Sequence, residues 1–531
     1  MSSNVCRTIW KNNGKRLSEK NDSAGGLCFL KIIACQKSDI LKKLCYFAFQ
    51  IILIPQMDMN LTLTEILTAG IAALFWMFFA LSSGLLLMAA IMKTTFYVVR
   101  DNSWQEYAFY WERWTNVFIR ATAMSGIPFV IVAGINWTNL WRTVPFISSA
   151  WSVGVEAVII GITLLLSVLV RKKPETITKR NVTMTWLLGL SFNLTLWWPI
   201  AVSAWMECPL GTFVNAPDLT LGFTHLSWIV FSPLAALKFF HMVASCWVIG
   251  AVFLVSLSCR HLLQHTQEKA RTGIIAGSAL AILAMALTMC IGDSTGYTVS
   301  KQQPMKMAAI QQVDKGGKEM AFSIIGPVKV PKMLSRLATH SNFGFFPGMD
   351  DVVDGGYRLP EGGVAKSLTE KHGLANHALQ IRQDIKDDYT QQLFRYESQY
   401  LGYSRLNSSA RLKPQTQAYY WAFRIMIGAG LLLIVLLAGL IYALVQEKAP
   451  WREYLLRINS YTYLLALCCT LCGWYIAEFG KYPWAVTDLL TAEAAVSAYP
   501  IYIICIELVV MLALCMAIIR YMFRLIKKNN L

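Results

Sequence analysis

A carboxylate near the end of an apolar segment is the first candidate for chemistry. Glu478 lies in the stretch Gly473-Trp-Tyr-Ile-Ala-Glu-Phe-Gly-Lys-Tyr-Pro-Trp484, which includes Trp474 and closes with Lys481 and a Pro-Trp pair. A Glu at membrane depth is costly unless it is paired, protonated or bound to a metal. The stretch therefore predicts a functional site. The alternative is an interfacial belt of aromatic rings with a snorkelling Lys481.

A histidine and a methionine form the second candidate. Of the seven His, only His241 lies within a predicted span. A low-spin haem would therefore need a ligand of another type, and Met serves in cytochromes. His241 and Met426 each lie about seven residues, roughly 10 Å, below the outer surface. Equal depth is what two axial ligands need, and Arg424 could neutralise a propionate. The 21 Met leave other pairings open, and a lone helical His is also a common structural residue.

The cysteines give a weaker signal. Thirteen Cys lack the spacing of a disulfide framework, and no C-x-x-C-H sequence for covalent haem occurs. Cys468, Cys469 and Cys472 cluster on one helix, where packing thiols are the simpler interpretation and a metal or redox role is the alternative.

The composition predicts that these residues lie in a membrane protein. The chain has 531 residues, of which 55% are hydrophobic and 15% charged. Several apolar runs exceed the ~20 residues that cross a bilayer. We predict an all-α polytopic bundle with nine spans, at about 66–92, 115–135, 152–170, 183–205, 235–258, 273–291, 418–444, 459–478 and 500–522. The net charge of +17 does not indicate nucleic acid, because the basic residues fall between the spans.

The loops predict the orientation. Lys and Arg concentrate in alternate loops around 171–180, 260–271 and 448–457 and in the C-terminal tail, whereas the opposite loops 136–151, 206–234 and 479–499 carry only Arg142 and Lys481. By the positive-inside rule the C-terminus is cytoplasmic and the N-terminus of the first span is outside.

Four regions follow from this reading. Residues 1–56, with nine Lys/Arg and three acids, match neither a span nor a signal peptide, and we expect a disordered basic arm or an over-extended start before Met57. Residues 57–291 hold spans one to six, 292–417 form a long polar outer loop, and 418–531 hold spans seven to nine and the tail. Loops this long are usually functional or disordered.

The stretch around Glu478 resembles the GWxxxExGRQPW signature of subunit I of the cytochrome bd-type ubiquinol oxidases. Lys238-Phe-Phe-His-Met-Val-Ala-Ser and Phe423-Arg-Ile-Met are similar to the family segments that supply the low-spin haem ligands. The resemblance runs from about Met57 to the C-terminus and thins through 320–400. It implies that His241 and Met426 hold a low-spin haem b and that Glu478 holds a high-spin haem b.

The outer loop carries a second part of the resemblance. Gly292-Asp-Ser-Thr-Gly-Tyr297 and Gln303-Pro-Met-Lys-Met-Ala-Ala309 are similar to the start of the family's quinol-binding loop. Lys306 would be the quinol-site lysine. The resemblance thus implies a bacterial inner-membrane quinol oxidase subunit that takes electrons from quinol outside and passes them through haem b towards oxygen. A homologous subunit II, and possibly a small single-span subunit, would be its partners.

Several positions depart from the family pattern. Phe75 stands where the first span normally has a haem d His, and Gln311 stands where the quinol loop has a Glu. In span three Glu156 is the only acid, with Leu164 at the place of a second Glu. Haem d is therefore doubtful. The alternatives are a diverged bd-like cytochrome that oxidises quinol without a normal oxygen site, and a haem-poor accessory membrane subunit.

Overall fold

The fold of the protein comes from a computed structural model, which describes residues 59–170, 176–264, 268–360, 362–406, 408–414, 416–446 and 450–528. Within these ranges nine helical segments are long and apolar enough to cross a membrane. They are spans one to nine: Leu61–Val99, Asn102–Asn136, Ala150–Val170, Lys179–Glu207, Ser227–Gln264, Ala270–Gln302, Ser409–Val445, Thr462–Phe479 and Tyr502–Lys527. The all-α prediction and the nine spans are confirmed. The predicted arm at 1–56 lies outside the described residues.

The long helices carry the spans, and short elements lie between them. The helices are α1 Met59–Val99, α2 Asn102–Asn136, α3 Thr138–Thr143, α4 Ala150–Val170, α5 Lys179–Leu194, α6 Trp197–Glu207, α7 Ser227–Val230, α8 Pro233–Gln264, α9 Glu268–Gln302, α10 Pro304–Gln311, α11 Met333–Thr339, α12 Met349–Asp354, α13 Leu368–Ile381, α14 Asp388–Ser398, α15 Ser409–Leu412, α16 Thr416–Val445, α17 Arg452–Asn459, α18 Thr462–Phe479, α19 Ala492–Ala495 and α20 Ile501–Lys528, with a 3-10 turn at Leu401–Arg405.

Three small antiparallel hairpins complete the described structure. They pair β1 Thr212–Val214 with β2 Leu221–Phe223, β3 Phe322–Ile325 with β4 Val328–Val330, and β5 Trp484–Val486 with β6 Leu490–Thr491.

The core lies where α1, α2 and α8 meet. Gly84 of α1 and Gly250 of α8 face each other so closely that a Cβ on Gly84 would lie 2.6 Å from the Gly250 Cα. Small residues let two helix backbones approach in this way. Lys93, buried at the far end of α1, is held by Glu112 at 3.1 Å and donates to Thr185 at 3.0 Å. These contacts fix α1 against α2, α5 and α8.

The outer connection is folded rather than irregular, and its first part was placed wrongly. Residues 292–302 were expected in the loop but continue α9, which ends where Pro304 begins the next helix. A proline disfavours continuation of a helix because its ring clashes with the preceding turn and it lacks an N–H. The outer segment, from Gln303 to Leu412, holds α10 to α15 and the β3–β4 hairpin.

Candidate functional site

A network of alternating charges lies at the end of the bundle next to Gln303–Leu412, and it is buried at Glu207 and partly exposed at Glu478. Oε1 of Glu207 is 3.0 Å from Nζ of Lys238 and 3.0 Å from Nζ of Lys306. Lys238 also donates to Ser203 Oγ at 3.1 Å, and Ser203 donates to Oε1 of Glu478 at 3.1 Å. Buried charges persist when they are paired and hydrogen-bonded in this manner.

Lys481 closes the other end of this network. Its Nζ is 3.0 Å from Oε2 of Glu478, one turn earlier on the chain. Both oxygens of Glu478 are therefore engaged, one by Ser203 and one by Lys481. Each carboxylate oxygen has two lone pairs, so an oxygen of Glu478 that accepts one of these hydrogen bonds could still bind iron.

Lys306 joins the outer segment to the network. Pro304 begins α10, and the short helix carries Lys306 inward until only 6% of its side chain is exposed. Its Nζ donates to Ala477 O at 3.2 Å as well as to Glu207. Ala477 immediately precedes Glu478. The predicted quinol-site lysine and the predicted haem ligand thus lie on neighbouring positions of one site.

The pKa values of Lys306 and Lys481, which both lie outside the spans, shift in opposite directions in this site. Burial lowers the pKa of Lys306 below the usual lysine range, with Glu207 opposing the shift and Lys238 adding to it. Burial would also lower the pKa of Lys481, but the carboxylates of Glu478 and Glu207 outweigh it and raise that pKa. An ammonium at position 481 is therefore the more firmly held of the two charges.

His241 and Met426 occupy tight positions against glycines of neighbouring helices. Nδ1 of His241 is buried without a hydrogen-bond partner in the part of the chain described, and a Cβ on Gly292 would lie 3.1 Å from its Cε1. A Cβ on Gly473 would lie 3.0 Å from Sδ of Met426. An unpartnered imidazole nitrogen and a thioether are the donor types that a low-spin haem takes. These residues therefore fit the predicted cofactor.

Arg424 binds the outer segment. Its Nη1 donates to Ile310 O at 2.7 Å, and its Nη2 donates to Gln311 Oε1 and Ser323 O, each at 2.9 Å. The guanidinium also lies 3.7 Å from the ring centre of Tyr420. Contact with a haem propionate stays a prediction: both terminal nitrogens of Arg424 donate to the outer segment, and its Nε is buried without a partner among the described residues. The same contacts engage the side chain of Gln311 through its Oε1.

Phe75 fills the position where the family pattern has a haem d ligand. Its ring stacks on Phe129 with centroids 5.6 Å apart and lies 6.0 Å from the ring of Phe79. A Cβ on Gly126 would lie 3.2 Å from its Cε2. The residues at this position pack as hydrocarbon between α1 and α2 and offer iron no donor, so they do not fit haem d.

The remaining predicted residues lie outside the charge network. Trp474 packs edge-on against Phe479, with ring centroids 6.1 Å apart. Glu156 lies on span three, and its Oε2 is buried without a partner among the described residues. Cys469 donates through Sγ to Met426 O at 3.2 Å, and the described cysteines are free thiols. That contact favours a packing role for Cys469.

Sequence reasoning missed three members of the network. Glu207 was assigned to an outer loop because the predicted fourth span ended at 205, yet it is 1% exposed on α6. Ser203 and Lys238 lie inside predicted spans, and a Lys three residues before His241 at membrane depth was the available signal. Oε2 of Glu207 has no partner within the described ranges. Which oppositely charged groups meet depends on how the helices pack, which spacing alone does not give.

The chain is similar to known proteins over most of its length. Residues 63–530 match the family described as cytochrome bd terminal oxidase subunit I. Cytochrome bd-II ubiquinol oxidase subunit 1 of Escherichia coli (strain K12) is 27% identical over 453 residues, 80% of this chain and 87% of that protein. Cytochrome bd ubiquinol oxidase subunit 1 of Bacillus subtilis (strain 168) is 22% identical over 459 residues, 82% of this chain and 86% of that protein.

A solved structure has the same fold. The bd oxidase from Geobacillus thermodenitrificans superposes with a TM-score of 0.67 at 18% sequence identity, covering 88% of this chain and 99% of that chain. This likeness supports the fold.

Proposed function

Because the chain belongs to the cytochrome bd terminal oxidase subunit I family, we propose that it takes electrons from quinol at its outer segment and passes them inward through haem b. It is a multi-pass membrane protein and an oxidoreductase of the terminal oxidase class. Bound haem would supply a one-electron carrier, with His241 and Met426 holding the low-spin group and Glu478 the high-spin group. Residues of this chain would position the quinol and accept its proton.

The position of Lys306 is the observation that carries the proposal. Its Nζ reaches Glu207 and Ala477 O, and an ammonium has three N–H donors, so one donor remains for a quinol oxygen. Lys306 would orient the quinol beside Glu478. Oε2 of Glu207 is buried and unpartnered among the described residues, so it could accept a proton while the side chain of Gln311 is held by Arg424.

Substitution of Lys306 tests this function. We expect Lys306→Met, which keeps the apolar stem, to raise the KM for quinol and lower turnover while the haem spectrum stays intact. Lys318 is an exposed lysine of the same outer segment. Lys318→Ala is therefore the matched control and should behave like the unsubstituted protein. Both variants should be reduced equally by a chemical reductant that bypasses quinol. Unchanged quinol kinetics in Lys306→Met would place the quinol site elsewhere.

A second candidate function rests on Phe75. Since the ring packs against Phe129 and Gly126 and offers no ligand, the chain suits a bd-like cytochrome that oxidises quinol without an ordinary haem d site. Oxygen consumption with quinol separates the two functions. Haem content separates both from a haem-poor accessory subunit.

The proposed setting is the bacterial cytoplasmic membrane, with the start of span one outside and the C-terminus inside. The distribution of Lys and Arg between the loops supports this orientation. A homologous subunit II is the proposed partner, and a small single-span subunit is a further one. Purification of the complex with intact haem, followed by identification of its polypeptides, tests the partnership.

A further inference from the structure

The β3–β4 hairpin of the outer segment is bound directly to a membrane span. Tyr420 Oη accepts from the backbone N–H of Gly326 at 3.1 Å and lies 3.2 Å from Ser323 Oγ. One turn deeper on the same helix, Nη2 of Arg424 donates to Ser323 O at 2.9 Å. Both the strand and the turn of the hairpin are thereby fixed at the level of Tyr420 and Arg424.

That level is the outer interface of the bilayer. Helix α16 runs from Thr416 to Val445, 30 residues. At 1.5 Å per residue this is about 45 Å, which matches the roughly 40–45 Å of a bilayer with its headgroups. Tyr420 then lies about 6 Å and Arg424 about 12 Å below the outer end of the helix. The hydrocarbon core begins roughly 7 Å in, so the two residues straddle its boundary.

The hairpin presents its apolar side chains outward at this depth. Phe322 is buried towards the bundle and contacts the ring of Phe423 at 6.4 Å between centroids. Ile324, Ile325 and Val328 are 44%, 55% and 58% exposed. A tight turn with these residues at its tip would be unfavourable in water, because exposed apolar side chains gathered at one place lose the benefit of burial.

The residues next to the tip also suit an interface. Gly326, at φ +55, takes the left-handed turn conformation that glycine adopts without strain. Lys329, exposed on β4, is placed to meet phosphate groups while the tip enters the apolar layer. Apolar side chains with an adjacent cation are typical of segments that lie in a membrane surface.

We propose that the tip of the β3–β4 hairpin inserts into the outer leaflet and is covered by phospholipid. The inference rests on the contacts with span seven and on the orientation given under the proposed function, but it does not depend on quinol oxidation. It has a structural consequence for the candidate site: Nη2 of Arg424 holds both Ser323 O and Gln311 Oε1, so the lipid-covered hairpin and the candidate quinol segment share one guanidinium.

Photo-crosslinking tests the proposal in the intact complex. Benzoylphenylalanine would replace Ile325 or Val328, and the complex would be reconstituted in nanodiscs that contain a phospholipid with a fluorescent headgroup. The matched control replaces Tyr389, which is 74% exposed on α14 of the same outer segment. All three sites are exposed, so substitution should leave the fold intact.

We expect fluorescent lipid adducts at positions 325 and 328, several-fold above those at position 389. Adducts only with another polypeptide would show that a partner subunit covers the hairpin and would overturn the proposal. Equal labelling at 325 and 389, or no lipid adduct at 325 and 328, would also overturn it. Quinol kinetics are not a readout here, so failure of this test and failure of the proposed function are distinguishable.

Discussion

Glu207 and Lys306 form a buried ion pair: Oε1 of Glu207 lies 3.0 Å from Nζ of Lys306, with the side chains 1% and 6% exposed. The pair links the last turn of span four to the first helix of the outer segment. Because Glu207 also binds Lys238, a single carboxylate compensates two ammonium groups. The stability of this outer end therefore depends on Glu207.

Glu207→Gln should destabilise the protein strongly. Removing one partner of a buried ion pair leaves uncompensated charge and typically costs about 3–5 kcal/mol. We expect a clearly lower unfolding temperature for the purified complex, and weaker quinol oxidation. Glu453→Gln is the control, since its pair with Arg457 is 67% and 69% exposed and should contribute less than about 1 kcal/mol. Similar unfolding temperatures for the two variants would contradict the role assigned to Glu207.

Gly473→Ala should disturb the low-spin haem through Met426. The new Cβ would lie 3.0 Å from Sδ of Met426, so the thioether must move. We expect a shifted low-spin haem spectrum, because Met426 would bind the haem iron less tightly. Gly428→Ala, two residues from Met426 and with open space around its Cβ, should leave the spectrum unchanged.

Substitution of His241 or Met426 themselves should change the low-spin haem spectrum more than Gly473→Ala does. His241→Ala or Met426→Leu should abolish the low-spin haem b signal, because each removes one axial donor. If both variants kept an unchanged low-spin spectrum, the ligand assignment would be wrong and Gly473 would lose its significance.

The spans were predictable because apolar length is a local property of the sequence. The structure of the outer segment was harder to predict. Its boundary was misplaced at 292, where the polar sequence around Gly292 suggested a loop although α9 continues to Gln302. The role of Gly292 is packing against His241, which no local pattern reveals. Likewise, the sequence singled out Lys306 and Glu478, but their links through Glu207, Ser203 and Lys238 arise only when the four helices α6, α8, α10 and α18 meet.

Tyr403 should make the outer segment sensitive to alkaline pH. Its Oη donates to Asp488 Oδ1 at 2.8 Å and accepts from Lys371 Nζ at 3.2 Å. Burial, together with Asp488, raises the pKa of Tyr403 well above its usual value. The native state thus keeps a proton that the unfolded chain loses above a pH of about 10, so native stability falls as the pH rises beyond that point.

Tyr403→Phe tests this expectation. The variant should lose about 1–3 kcal/mol at neutral pH, since Asp488 and Lys371 lose their hydroxyl partner. It should also show a smaller increase in cleavage of the outer segment by a protease between neutral pH and a pH of about 11. Tyr389→Phe, at an exposed position, is the control and should follow the unsubstituted protein at each pH. The same alkaline increase in all three proteins would exclude Tyr403 as the source.

The final prediction concerns Phe75 and the number of haems. Iron in a haem d site needs a basic donor, whereas Phe75 stacks on Phe129 and closes against Gly126. His241 is assigned to the low-spin group, and His261, the other histidine of span five, lies in the last turn of α8. Glu156, on span three with one unpartnered buried oxygen among the described residues, is the remaining acid in that span. We therefore expect two b-type haems, no long-wavelength chlorin band, and weak or absent oxygen reduction.

A reduced-minus-oxidised spectrum of the purified complex shows which haems are present. The Glu156→Gln variant then shows whether a third haem, if present, takes its ligand from Glu156 or from another residue. If a chlorin band is present in the unsubstituted complex but absent from Glu156→Gln, the third haem is held by an unusual carboxylate ligand on span three. A full-strength band that survives Glu156→Gln would contradict the prediction. The chain would then be an ordinary oxidase subunit whose third haem takes its ligand from a residue other than those at positions 75 and 156.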